Sequence, residues 1–411
     1  MRFAIVNLGC KVNRVESDAI AAALLAAGGS EAAPTDADLI VVNTCTVTGE
    51  AEKKTRKAVH RALRANGHAR VVVTGCAAAI DAAGFEAMDP RVETAAKGAL
   101  LEELAGRAVG THPVLRVGGA FPTRVGIKVQ DGCDNACTYC IVHVARGRAW
   151  SRDADEVIDE AVAYARAGVR EIVLSGINLG SYCWGGLTLA GLLERLLAAT
   201  ADQATSGEPC VRFRISSIEP KDVGDDLVAL LASAEGRVCR HLHLPLQSGS
   251  SKVLRHMARP YDAGEYCTLV DRLRAAVPEL SLSTDVIVGF PGEDEDDFAA
   301  TLDVVRQCAF SKIHVFPYSR REGTPAADRV DQVRPEIKAD RARRLRELAF
   351  RLRSADRARR SGTSELVLVE TAGKATTESY FEVEAPAGAV PGALVAVVLP
   401  TPPLAVQVPA K

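Results

Sequence analysis

Nine short apolar runs, each followed by a stretch with helical spacing, constrain this chain more than any single residue does. Three stand in the first third: Phe3-Ala-Ile-Val-Asn, Asp38-Leu-Ile-Val-Val-Asn and Arg70-Val-Val-Val-Thr. Each is apolar on both faces, as a strand covered from both sides must be. Ala-rich helical segments separate them, which predicts an α/β fold that opens with a doubly wound parallel sheet. Six further strand candidates follow at 124–129, 170–174, 211–216, 241–246, 283–289 and 312–318, separated by helical patterns such as 155–167 and 294–308. They predict a central (β/α)6 partial barrel, with any chemistry at the C-terminal strand ends. After Ser361-Gly362 the runs 366–370, 380–384, 394–399 and 404–408 read as strands of a small C-terminal β-barrel. With a linker at Gly118-Gly119 and Phe121-Pro122, the expected domains are 1–117, 118–360 and 361–411.

At 411 residues the chain exceeds one ordinary core, which agrees with two or three domains. No run reaches the ~18 uninterrupted apolar residues of a membrane span. Met1 leads directly into a strand pattern, so no signal peptide is read and a cytoplasmic setting without membrane attachment is expected. Eleven cysteines, several in tight motifs, then point to metal binding rather than to disulfides. The net charge of −2 means that any nucleic-acid surface must come from local segregation of charge.

The cysteines cluster at strand ends. Ile127-Lys-Val-Gln-Asp-Gly-Cys133-Asp-Asn-Ala-Cys137-Thr-Tyr-Cys140 carries the spacing C-x3-C-x2-C straight after a β-branched run. Three such thiolates can hold one soft centre: an iron–sulfur cluster, zinc or copper(I). A structural zinc knuckle needs a fourth ligand, whereas a 4Fe–4S cluster on three cysteines keeps one iron open. Cys10, Cys45 and Cys76 each sit just past one N-terminal strand, beside Gly or Thr. A lone cysteine there reads as a small buried hydrophobe, but three in register read as a second metal site. Cys183, Cys210, Cys239, Cys267 and Cys308 share no ligand spacing and read as buried thiols, with Cys183 left open. His143, His241 and His243 read as core or hydrogen-bonding residues.

The segment 127–140 resembles the signature of the radical S-adenosylmethionine (SAM) superfamily. Asn7-Leu-Gly-Cys-Lys-Val-Asn-Arg-Val-Glu-Ser17, Asn43-Thr-Cys-Thr-Val-Thr48, Val73-Thr-Gly-Cys76 and Tyr318-Ser-Arg-Arg-Glu-Gly-Thr-Pro-Ala326 resemble its methylthiotransferase branch. The resemblance implies two 4Fe–4S clusters: one on Cys133, Cys137 and Cys140 that chelates SAM, and an auxiliary one on Cys10, Cys45 and Cys76. The barrel would be the radical SAM core. Its strand-end motifs put Gly176, Asn178, Glu219 and Gln247 in reach of SAM, while Asp285 reads as a polar group of the barrel interior. No general acid or base is nominated. An external electron donor, such as a flavodoxin or ferredoxin, is implied for SAM cleavage to a deoxyadenosyl radical. That radical activates a carbon to which a methylthio group is joined.

Short motifs indicate the substrate. Leu8-Gly-Cys-Lys-Val-Asn13 is similar to the branch that acts on C2 of N6-threonylcarbamoyladenosine beside the tRNA anticodon. Isopentenyladenosine in tRNA is the alternative within the enzyme class, and a non-catalytic iron–sulfur sensor that binds RNA is the alternative outside it. His143, Val144 and Trp150 depart from the family pattern. The implied partner, a tRNA anticodon stem-loop, could meet the basic run between Glu50 and Arg64 or the segment 329–360, where twelve basic and five acidic residues leave +7. Residues 361–411 resemble the TRAM domain, a small barrel for RNA, although Glu365, Glu370, Glu378, Glu382 and Glu384 suit phosphate poorly.

Overall fold

The computed structural model describes the chain apart from residues 47–48, 97–99, 101–122, 202–210, 235 and 402–411. The linker at 118–122, Cys210 and the strand expected at 404–408 lie outside the described residues. Two compact units emerge. The first comprises Met1–Leu115, Asp131–Trp150 and Ser319–Thr324; the second comprises Arg116–Gln130, Ser151–Tyr318 and Pro325–Lys411.

In the first unit, β1 (Arg2–Asn7), β2 (Ser30–Glu31), β3 (Leu39–Thr44), β4 (Arg70–Gly75) and β5 (Val92–Thr94) form a parallel sheet in the order β2-β1-β3-β4-β5. Helices α1 (Lys11–Ala26), α2 (Gly49–Ala65), α3 (Cys76–Ile80) and α4 (Ala82–Glu86) accompany it. Alternate residues of β3 serve two separate cores, because successive strand side chains point to opposite faces. Ile40 and Val42 pack with Val59, Val71 and Val73, whereas Leu39 and Val41 pack with Phe3, Ile20 and Leu24. Burial on both faces is what the doubly wound reading requires. Asn7 pairs with Asn43 and Asn43 with Thr74, so the turns after β1, β3 and β4 leave the sheet at one level. Helix α5 (Val142–Arg146) belongs to this unit and packs on α3.

The second unit has six parallel strands in two groups: β6 (Arg124–Lys128), β7 (Glu171–Ser175) and β8 (Arg212–Ile215), then β9 (His241–His243), β10 (Ser281–Val288) and β11 (Lys312–Pro317). Parallel bridges Phe213–Val238 and Ser217–His243 join the groups, completing the six-stranded order of a partial barrel. Helices α6 (Ala154–Arg166), α7 (Leu189–Ala199), α8 (Asp225–Ser233), α9 (Ser251–His256), α10 (Ala263–Ala276) and α11 (Glu295–Cys308) alternate with the strands. Asp262 and Asp294 start α10 and α11 with reciprocal capping boxes. The run expected as a strand to residue 246 stops at His243. Pro245 has no N–H to donate, and Gln247 takes a left-handed φ of 63°.

Helix α12 (Pro335–Arg359) packs on β11. Many cations of the basic segment face acids on other elements: Arg341 meets Glu293 at 2.7 Å, Arg344 meets Glu295 at 2.6 Å and Arg360 meets Glu365 at 3.2 Å. The C-terminal part is an antiparallel sheet of β12 (Ser364–Thr371), β13 (Lys374–Thr377), β14 (Glu382–Val383) and β15 (Leu394–Val398), ordered β14-β13-β12-β15. Strand β13 was not legible, because Lys374-Ala-Thr-Thr lacks an apolar alternation. The segment expected as a strand from residue 380 begins instead with a turn at Tyr380, φ 71°.

This sheet closes the N-terminal end of the barrel. Glu171, Arg212 and Arg214, all fully buried, meet there, with both guanidinium Nε atoms 2.8 Å from the carboxylate. Their other donors reach the carbonyls of Leu366, Thr377 and Glu378 at 2.8–3.1 Å. Burial alone would raise the Glu171 pKa, but Arg214 and Arg212 outweigh it and hold the carboxyl well below the usual range. Glu378 pairs with Arg240 at 2.8 Å, and Glu370 pairs with Arg124. Much of the acidity of this sheet, that of Glu365, Glu370 and Glu378, is therefore spent inside the fold.

Candidate active site

The six cysteines of the two expected trios all lie in the first unit. Cys45, Cys76 and Cys137 are buried, Cys133 and Cys140 half-buried, and Cys10 exposed. Side chains from the cysteine-bearing motifs tie the N-terminal turns together. Asn13 donates to Asn43 Oδ1 and to the Thr44 carbonyl, both at 2.8 Å, while Asn43 donates to the Asn13 carbonyl at 2.8 Å and to Ser17 Oγ at 3.0 Å. Thr44 Oγ1 donates to the Thr74 carbonyl at 2.6 Å and accepts from the N–H groups of Ala77 and Ala78 at 3.1 and 3.2 Å. Each bond joins one cysteine turn to another, so the register of the sheet is carried out to the turns themselves.

Glycine enters where the backbone leaves no choice. Gly75, just before Cys76, has φ 92°, and a β-carbon there would stand 2.5 Å from both Asn43 Oδ1 and the Thr44 carbonyl. Gly132, just before Cys133, has φ 70° and would collide with the carbonyl of Arg148.

Arg146 is the centre of the polar interior. Its side chain is fully buried and donates from Nε to Cys76 Sγ at 3.2 Å, from Nη1 to Glu16 at 2.8 Å and Asp131 at 2.9 Å, and from Nη2 to Asn13 at 3.0 Å. Burial pushes the pKa of this guanidinium down, but Cys76, Glu16 and Asp131 outweigh burial and hold it raised. One side chain thus links the Cys76 turn to the segment on either side of Cys133, Cys137 and Cys140. Other sulfurs also accept: Cys133 from the N–H of Asn135 and Cys140 from that of Val142, both at 3.4 Å. Thiolate trios with N–H donors aimed at the sulfurs suit an iron–sulfur cluster, whose potential such bonds tune. The donor set therefore fits the implied clusters.

The residues expected near SAM lie in the second unit, each with its own partners. Gly176 packs where a β-carbon would stand 2.9 Å from Gln130 Oε1, and the same oxygen accepts from the Asn178 N–H at 2.8 Å. Asn178 Oδ1 is buried without a hydrogen-bond partner among the described residues. Glu219 pairs with the buried Arg259. Gln247 is held by main-chain bonds of 2.8 Å to Asp285 and Ile287; a left-handed residue other than glycine at a strand end marks a constrained position.

Sequence reasoning did not single out Gln130, Arg259 or His314. His314 joins His243 and Asp285 on neighbouring strands, with one ligand atom from each within 4.8 Å of the others. His243 sits 3.3 Å from Asp285 through Nε2 and 2.9 Å from Ser283 Oγ through Nδ1; His241 also meets Ser283 Oγ, at 3.0 Å. His143 is exposed rather than in the core, since α5 turns Ala145 and Arg146 inward instead. Cys183 is likewise exposed, while Cys239, Cys267 and Cys308 are buried. On α2, Lys53, Lys57, His60, Arg61 and Arg64 lie on the exposed face. Among the described residues no helix is long and apolar enough to cross a membrane.

Comparison with known proteins places this geometry. Residues 127–305 match the radical SAM superfamily and residues 2–96 match the uncharacterized protein family UPF0004. The threonylcarbamoyladenosine tRNA methylthiotransferase MtaB of Chlamydia pneumoniae is 38% identical, across 92% of this chain and 90% of that protein. The protein of the same name from Bacillus subtilis is 38% identical across 84% and 80%. A tRNA-2-methylthio-N(6)-dimethylallyladenosine synthase of Endomicrobium trichonymphae is 33% identical across 83% and 82%. Among solved structures, the radical SAM methyltransferase TsrM of Kitasatospora setae shares the fold, with a TM-score of 0.57 at 16% identity over 79% of this chain and 77% of that one. On these relatives, this chain belongs to the radical SAM methylthiotransferase family and is a tRNA methylthiotransferase.

Proposed function

We propose that this enzyme attaches a methylthio group to C2 of N6-threonylcarbamoyladenosine next to the tRNA anticodon, in the cytoplasm. Cys133, Cys137 and Cys140 hold the 4Fe–4S cluster that binds SAM, and Cys10, Cys45 and Cys76 hold a second, auxiliary one. An external donor such as a flavodoxin or ferredoxin supplies the electron. When bound, the clusters and SAM supply the bond cleavage and sulfur transfer that no side chain can.

The chain's own part is geometric and electrostatic. Arg146 keeps the Cys76 turn fixed to the segment around Cys133, with its charge balanced by Glu16 and Asp131. Asn13, Asn43 and Thr44 hold the three N-terminal turns in register. In the barrel, Gly176 and Asn178 beside Gln130, Glu219 beside Arg259, and Gln247 at the end of β9 line the expected approach of SAM; the unpartnered Asn178 Oδ1 can accept from an amino group.

The observation that carries the reading is the single buried arginine bonded to Cys76 and to the residues flanking the second trio. The substrate choice draws on Leu8-Gly-Cys-Lys-Val-Asn13 and on the names of the relatives. Nucleoside mass spectrometry of tRNA from a deletion strain tests it. Loss of 2-methylthio-threonylcarbamoyladenosine supports the assignment. Loss of the isopentenyl product instead moves the enzyme to the other branch, and no change in either favours an RNA-binding sensor.

A further inference from the structure

The first unit carries an open cavity of ≈ 780 Å³. Three of its lining residues each stand one position after a cysteine: Thr46 after Cys45, Ala77 after Cys76 and Ile141 after Cys140. The cavity is thus lined by sequence neighbours of cysteines from both trios. Its surface has two characters. Ile80 and Val144, 42% and 58% exposed, offer apolar surface to a ligand in the cavity. The remainder is charged. Arg56 pairs there with Asp81, and Arg321 pairs with Glu52 at 3.0 Å and with Thr46.

Two cations stand outside these internal pairs, and the paired Arg321 keeps one donor unused. Lys53 and Arg320 are exposed at the cavity, and among the described residues no acid is bonded to either; Glu322 is exposed beside them. Arg321, with its side chain 10% exposed, keeps a buried Nε that has no acceptor. Buried N–H groups are nearly always satisfied, so this guanidinium has a donor that a small side-chain movement would offer to an incoming acceptor. Apolar surface and uncommitted guanidinium and ammonium groups in one cavity suit a flat heterocycle bearing an anionic arm.

We infer that this cavity receives the N6 arm of the target adenosine, with the threonyl carboxylate held by Arg321, Lys53 and Arg320 and the base against Ile80 and Val144. The inference rests on the threonylcarbamoyladenosine reading above, since an isopentenyl arm has no carboxylate to recognise. It makes these three cations the groups that select the substrate.

The test uses the full-length chain and fluorescently labelled anticodon stem-loops that differ only in carrying threonylcarbamoyladenosine or plain adenosine. Anisotropy gives the ratio of the two affinities, independent of turnover. The wild-type chain favours the modified RNA, and the double variant Lys53→Gln, Arg320→Gln lowers that ratio about tenfold, the size expected for lost hydrogen bonds to a charged group. Arg321→Lys lowers it further; if that variant fails to fold by circular dichroism, the exposed double variant decides. A ratio unchanged in the double variant overturns the inference. Equal weakening toward both RNAs also overturns it, because the cations then hold backbone phosphate. A wild-type chain that methylthiolates the threonylcarbamoyl RNA yet binds both RNAs equally sinks the inference alone. One that modifies only isopentenyladenosine RNA sinks the substrate reading as well.

Discussion

Arg146 and Arg214 are both fully buried guanidinium groups facing acids, yet they do different work. Arg214 spends its donors on Glu171 and on main-chain carbonyls of a second sheet, so every partner is scaffold. Arg146 gives one donor to a cysteine sulfur and the rest to residues flanking cysteine turns. Burying a charge is costly in both places unless it is fully paired. The contrast teaches that burial and pairing do not mark a site by themselves. What the last donor touches does.

Four measurements press on that contrast. The largest effect is expected from Cys76→Ala, which removes the sulfur that Arg146 serves: product falls to background, and anaerobically reconstituted protein drops from about eight iron atoms per chain to about four. Iron that stays near eight would break the assignment of Cys76. Arg146→Lys comes next. Lysine keeps the charge but lacks the fork, so turnover should fall about 10–100-fold, as for other groups that orient metal ligands. Its cluster absorption spectrum should shift as well.

Arg214→Met should instead cost about 3 kcal/mol of stability by stranding part of the Glu171 charge, read by chemical denaturation. Cluster absorption per folded chain should stay as in the wild type; a spectral change would erase the distinction between the two arginines. The smallest effect sharpens a second contrast, between Glu171 and Glu293. Around Glu171 the arginines win, whereas burial wins at Glu293 despite Gly289 and Arg341, raising its carboxyl from 4.5 to about 6. The folded state then holds this proton more tightly than the unfolded chain. Stability from this group is present below pH 4.5 and is lost as pH rises to about 6, by about 2 kcal/mol. Urea unfolding across that range should show the slope, and Glu293→Gln should remove it.

Much of the fold was legible because its signal is local. The apolar runs at 39–44 and 70–75 declare strands buried on both faces, and the structure supplies two cores to bury them. The cysteine positions were legible for the same reason, since Cys10, Cys45, Cys76 and Cys133 each follow such a run within about five residues. The polar groups around them were not. Arg146 reaches Cys76 across 70 positions and Glu16 across 130, and Arg321 reaches Glu52 across 269. No periodicity encodes such distances. Charge counting has a related limit: it reads the basic segment at 329–360 as a possible phosphate contact and the acids after 361 as a poor one, without showing where either charge goes. Much of that charge instead neutralises other parts of the fold, as Arg360 and Glu365 do for each other.

The closed floor of the barrel has a consequence for the order of assembly. Glu378, whose carbonyl receives Arg214, lies 164 positions further along the chain. A ribosome that has just released Arg214 must therefore add that whole length before the guanidinium can exchange water for the carbonyl it donates to in the fold. The six barrel strands can be synthesised, but they cannot bury their own base. Native barrel packing must wait for the late sheet to emerge, and a chain interrupted before it would expose an ionised, half-built interior to any passing protease.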